Sequence, residues 1–113
     1  MPEETKRPWG EYEVLSKTKI VVIKPDKKLS LQYHNERDEY WRIVQGKGWV
    51  KIGDLKKDVS SGEEFNIPRK TVHRIGAYSE GLIFVEVATG NVNEDDIVRL
   101  EDDYNRIKNG KNK

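Results

Sequence analysis

Between Thr18 and Thr89 no segment sustains a helical period over three turns, and the chain runs instead as short β-branched and aromatic stretches cut by turn residues. The stretches are TKIVVIK, KLSLQYH, YWRIVQ, GWVKIG, EEFNIP, TVHRIG and GLIFVEVAT. Short strands at this spacing belong to an all-β sandwich or barrel. Each break carries turn chemistry: Pro25-Asp26, Gly46-Lys47-Gly48, Gly53-Asp54, Ser60-Ser61-Gly62, Pro68-Arg69-Lys70 and Glu80-Gly81. Only residues 93–107 could hold a helix, with Ile97, Leu100 and Tyr104 on one side and Asn93 as N-cap. A loop or a short strand lying on the barrel fits that segment equally.

At 113 residues the chain has room for one domain and one modest core, expected over residues 1–106. The polar, Lys-rich residues 107–113 are expected to be disordered. Lysine plus arginine number 21 against 20 aspartates and glutamates, a net charge of +1. That balance argues against a nucleic-acid partner, which selects for a basic excess on one face. No apolar run approaches the roughly 18 residues of a membrane span, and the N-terminal MPEETKRPWG is charged, so no membrane partner and a cytoplasmic location are expected. The absence of cysteine excludes disulfides and thiolate metal sites.

The chemistry gathers in LQYHNERDEYW, residues 31–41, which holds one of only two histidines. In an extended strand residues two apart face the same way, so Gln32 and His34 share one side and Leu31 and Tyr33 the other. Glu39 follows the charged turn Asn35-Glu36-Arg37-Asp38, and a hairpin-like return brings its carboxylate beside the pair. Alternation also puts Trp41 on the Glu39 face and Tyr40 opposite. The second histidine, His73, begins the strand after Pro68-Arg69-Lys70. Taken singly, each polar residue could simply satisfy hydrogen bonds inside a barrel.

The intervals from Gln32 through His34, Glu39, Gly46, Gly62 and Pro68 to His73 resemble the two motifs of the cupin superfamily, a small double-stranded β-helix of jelly-roll type. Asp26, Gln32, Lys70 and Ala77 stand where those motifs carry Gly, His, Gly and Asn. A glutamine in place of the first histidine is similar to the phosphomannose isomerases. The head Arg7-Pro8-Trp9-Gly10 with Tyr12, the run Leu29-Ser30-Leu31-Gln32 and the tail Glu94 to Arg99 with Tyr104 and Arg106 resemble the C-terminal cupin domain of type II mannose-6-phosphate isomerases. That domain is often fused to a mannose-1-phosphate guanylyltransferase, of which no motif is present here. The family usually carries histidines where Asn35, Glu36 and Tyr40 stand.

The resemblance implies one divalent metal ion held by Gln32, His34, Glu39 and His73; Zn²⁺, Mn²⁺, Fe²⁺, Co²⁺ and Ni²⁺ all suit two imidazoles, a carboxylate and an amide oxygen. It implies an aldose-ketose isomerase interconverting mannose 6-phosphate and fructose 6-phosphate, the sugar phosphate being the partner. Arg7, Arg99 and Arg106, which match the head and tail motifs, are the expected phosphate ligands. The base that moves the proton is open between Glu36, Lys19 and a hydroxide on the ion. The alternatives are a cupin that binds sugar phosphates or sugar nucleotides without catalysis, and a small-substrate non-haem dioxygenase built on His34, Glu39 and His73. Exposed strand edges together with the resemblance lead us to expect a homodimer.

Overall fold

The computed structural model describes residues 3–15, 17–93 and 95–103. Nine strands follow one another: β1 (Glu3–Arg7), β2 (Gly10–Leu15), β3 (Thr18–Ile23), β4 (Leu31–Tyr33), β5 (Arg37–Ile52), β6 (Leu55–Ser60), β7 (Glu64–Ile67), β8 (His73–Gly90) and β9 (Val98–Glu101). The path through the sheet is β1-β2-β3-β8-β4-β9, and β5 pairs with β6, β7 and β8. The result is the curled, all-β antiparallel architecture that the sequence predicts. No helix among the described residues is long and apolar enough to cross a membrane.

Two of the expected turns are bends inside long strands. YWRIVQ and GWVKI both lie in the 16-residue β5, and HRIG and GLIFVEVAT both lie in the 18-residue β8. Their shared ladder slips register between Ile43 and Gln45 and again between Gly46 and Gly48. Gly46 sits at φ +93°, and a Cβ there would lie 2.2 Å from the Gly81 carbonyl oxygen. The glycines therefore let two backbones close on each other while the ladder continues past the bend.

The C-terminal segment resolves in favour of a strand. Val98–Glu101 pairs with β4, and Asn93 closes a turn instead of capping a helix: its Oδ1 accepts the Asp95 N–H at 2.9 Å. Tyr104, Arg106 and the tail 107–113 lie outside the described residues. β1, β2 and β6 are strands that the hydrophobic pattern does not mark; EETKR is mostly charged and LKKDVS half charged, and both exist as partners of neighbouring strands.

The core sets the inward face. In β5 a period of two buries Arg37, Glu39, Trp41 and Ile43, and in β8 it buries Leu82, Phe84, Glu86 and Ala88. Val21 and Ile23 of β3 join Trp9, Trp41, Ile67 and Phe84 in one apolar cluster. The polar residues on this face enter the interior with the apolar ones.

Candidate metal centre and adjoining cavity

The site lies where β4, β5 and β8 meet. Gln32 of β4 is in register with His73 of β8 on one side and with Arg99 of β9 on the other. His34 follows β4, and Glu39 faces inward from β5. One donor atom from each of His34, Glu39 and His73 lies within 4.8 Å of the other two, and all three residues are buried. Gln32 borders the same interior, with its Oε1 accepting the Ser30 hydroxyl at 2.7 Å.

Both imidazoles are oriented from behind. His34 Nδ1 meets the Asp96 carbonyl at 2.5 Å and His73 Nδ1 meets the Thr71 carbonyl at 2.9 Å. A carbonyl only accepts, so each Nδ1 carries the proton and each Nε2 presents a lone pair to the cluster. Asp96 also fixes the turn through its carboxylate, which accepts the Asn35 and Glu36 N–H groups at 2.9 and 2.8 Å. The bond from Asn35 foremost holds its pKa below the usual carboxylate range. Sequence reasoning missed this support, although Asp96 lies in the tail motif.

Glu39 is the anion of the cluster. Burial alone would raise its pKa, but its neighbours His34 and His73 and the Arg37 guanidinium against it outweigh that cost and hold the carboxyl at about 2. Its Oε2 is 3.1 Å from His34 Nε2, its Oε1 accepts Trp41 Nε1–H at 3.1 Å, and His73 Nε2 is 3.9 Å from Oε1. Burial lowers the pKa of His73 and prevails over the opposing pull of Glu39 and Thr71, which favours the neutral ring that a metal requires. His73 Nε2 is buried without a hydrogen-bond partner. An orphaned, inward lone pair beside a buried carboxylate and a second imidazole fits a divalent cation.

Arg37 complicates that fit. The sequence places it in the charged turn, but it is the first residue of β5 and only 6% exposed. Its Nη2 lies 2.9 Å from Glu39 Oε2 and 3.2 Å from His34 Nε2, and its Nε donates to Glu39 Oε2 at 3.1 Å. Stepping back two residues from Glu39 along the strand period would have found it.

Arg37 also borders a cavity of about 160 Å³ shared with Arg7, Lys19, Gln32, Glu86 and Arg99. Its volume is below the roughly 300–1,000 Å³ of pockets that enclose drug-sized ligands, so it suits a small molecule or one end of it. Four of its lining residues are basic and one is acidic, which favours an anion. Tyr12 organises the basic side: Arg7 Nη2 donates to its hydroxyl at 2.8 Å, and Lys19 Nζ sits 4.7 Å from its ring centroid. Lys19 and Glu86 are register partners across β3 and β8. Glu86 was also missed, although a carboxylate on the apolar face of GLIFVEVAT is a readable signal.

The remaining sequence-predicted residues fall elsewhere. Glu36 is exposed, accepts from the Asn91 amide at 2.9 Å and does not line the cavity. Arg106 lies outside the described residues. Asn35 is exposed, and the Tyr40 hydroxyl donates to Glu64 on the outer side of β5. None of the three positions where the resembling family carries histidines lines this cavity.

Comparison with known proteins shows the family and the fold. The family model described as mannose-6-phosphate isomerase C-terminal matches residues 1–102. The chain belongs to that family. It is 36% identical over 110 residues to the alginate biosynthesis protein AlgA of Pseudomonas aeruginosa, covering 91% of this chain and 23% of the relative. It is 34% identical over 114 residues to the mannose-1-phosphate guanylyltransferase ManC of Salmonella typhimurium, covering 95% of this chain and 24% of ManC. The chain thus spans about a quarter of the length of these curated relatives. Among solved structures, the capsular polysaccharide assembling protein CapF from Staphylococcus aureus superposes with a TM-score of 0.79 at 17% identity, over 89% of this chain and 34% of CapF. An oxalate decarboxylase variant from Bacillus subtilis gives 0.78 at 22% identity, over 88% of this chain and 30% of that one. These likenesses establish the cupin fold.

Proposed function

We propose that this chain interconverts mannose 6-phosphate and fructose 6-phosphate with one divalent metal ion held by His34, Glu39 and His73, and by the Gln32 amide oxygen once it leaves Ser30. The observation that carries the reading is contiguity: Arg37 touches the buried donor cluster and lines a cavity rich in cations, and Gln32, in register with His73, lines the same cavity. An ion bound there would act as a Lewis acid on the carbonyl and neighbouring hydroxyl of an open-chain sugar. Arg7 and Arg99 hold the phosphate, and that remote binding energy orients the reacting carbons. Glu86 takes the proton from C2 and returns it to C1, with the Lys19 ammonium beside it balancing the charge of the carboxylate. Glu36, outside the cavity, takes no part. The family membership and the names of the relatives support mannose-phosphate chemistry.

The test is a coupled assay on mannose 6-phosphate with chelated protein, before and after adding back each of Zn²⁺, Mn²⁺, Fe²⁺, Co²⁺ and Ni²⁺. Turnover restored by a metal and lost in Glu86→Gln supports the reading. Sugar-phosphate binding without turnover under every metal would replace it with a binding module. Oxygen consumption without isomerisation would replace it with an oxygenase on the same three ligands.

A further inference from the structure

The guanidinium of Arg37 lies against the two donors that a metal ion would need. His34 Nε2 has one lone pair, and that lone pair is aimed at Arg37 Nη2 at 3.2 Å. Glu39 Oε2 takes both Nη2 and Nε of the same side chain, at 2.9 and 3.1 Å. A divalent ion bonds such atoms at about 2.0–2.2 Å, so the two cations compete for the same lone pairs. Arg37 cannot simply lose its proton to make room, because a guanidinium stays charged in proteins. It can move, because its side chain already borders the cavity.

We propose that Arg37 is an exchangeable internal cation: it neutralises Glu39 while no metal is bound, and it turns into the cavity when the ion takes its place. There it joins Arg7, Lys19 and Arg99, with Glu86 as the nearby carboxylate. This rests on the reading of His34, Glu39 and His73 as metal ligands and adds a switch to it. Loading the ion also raises the positive charge facing an anion in the cavity. By linkage an anion there raises metal affinity in turn. The rival role is a fixed one, in which Arg37 stays on Glu39 and orients it; the two roles predict opposite signs when the guanidinium is removed.

The experiment is calorimetric titration of Zn²⁺ into chelated wild-type, Arg37→Met and Arg37→Lys proteins, with the melting temperature of each metal-free form. Exchange requires Arg37→Met to bind Zn²⁺ more tightly, by about tenfold or more given the charged hydrogen bonds no longer to be displaced, with Arg37→Lys in between. Its metal-free form should melt lower than wild type, since Glu39 loses its counter-cation. A second readout needs no variant that folds poorly: the wild-type Arg37 Nε–H resonance should shift or broaden on one equivalent of Zn²⁺. Weaker Zn²⁺ binding in Arg37→Met, or an unmoved Nε–H signal in a Zn²⁺-loaded wild type, overturns the exchange and leaves the metal centre standing. No Zn²⁺ binding by any of the three proteins removes both.

Discussion

Lys70→Gly should stabilise this protein, although it deletes a side chain and adds freedom to the unfolded chain. Lys70 and Asp26 are the non-glycine residues with left-handed backbone among those described, at φ 66° and φ 60°. They stand at two of the places where the cupin motifs carry glycine, the two that this chain has replaced. The left-handed conformation costs an L-residue about 1–2 kcal/mol, and glycine loses about 0.4–1 kcal/mol more than a substituted residue on folding. The difference favours glycine by about 0.5–1 kcal/mol. The side chain of Lys70 is exposed, while its N–H donates to the His34 carbonyl at 2.6 Å, a bond that glycine keeps.

Urea denaturation of chelated protein reads this directly. With a slope of about 1–3 kcal/mol per M, the midpoint should rise by about 0.2–1 M and the melting temperature by about 2–5 °C. Lys70→Ala is the control, because it removes the same side chain but keeps the Cβ that makes the conformation costly. It should show no such gain. A glycine variant no more stable than the alanine variant would refute the reasoning, since backbone freedom would then contribute nothing at this turn. Asp26→Gly should give a smaller gain, because short polar residues tolerate this conformation better.

Two further outcomes follow from the site. Glu39 is held at about 2 against an ordinary 4.5, so its contribution is fully present above about pH 4.5 and lost as pH falls towards 2. The difference corresponds to roughly 3 kcal/mol, so the urea midpoint of chelated protein should fall more steeply between pH 5 and pH 3 than that of Glu39→Gln; parallel curves would contradict it. Arg99→Met should raise the KM for the sugar phosphate about tenfold or more with a smaller effect on kcat, and an unchanged KM would take the phosphate away from this end of the cavity.

The barrel was legible because β-branched runs and turn residues alternate from Thr18 onward, and the donor cluster because its members recur at fixed intervals. Long strands were less so. Gly46-Lys47-Gly48 and Glu80-Gly81 have the composition of turns, and only the approach of Gly46 to the Gly81 carbonyl shows that they bend one ladder. β1 and β6 carry few apolar residues, and their pairing is decided by neighbours that no local window contains. The 93–107 segment carried helical spacing, but its docking against β4 prevailed over that local preference at Val98–Glu101.

Arg37 and Glu86 were missed for a different reason, and it bears on how such sites are read. Motif spacing identifies residues by their distance along the chain, whereas a barrel interior is defined by a face. Once Glu39 is placed inward, the period of two places Arg37, Trp41 and Ile43 inward with it, and the same step along β8 carries Leu82 and Phe84 to Glu86. A charge on such a face is buried by the strand's own geometry, so it needs a partner from another strand or a ligand. The departures from the family pattern divide along the same line. Asp26 and Lys70 alter turns whose left-handed backbone persists, and Asn35, Glu36 and Tyr40 change side chains outside the cavity. The chain's differences from that pattern at these positions therefore bear on stability and outer surface, while His34, Arg37, Glu39 and His73 form one buried cluster on which the proposed chemistry depends.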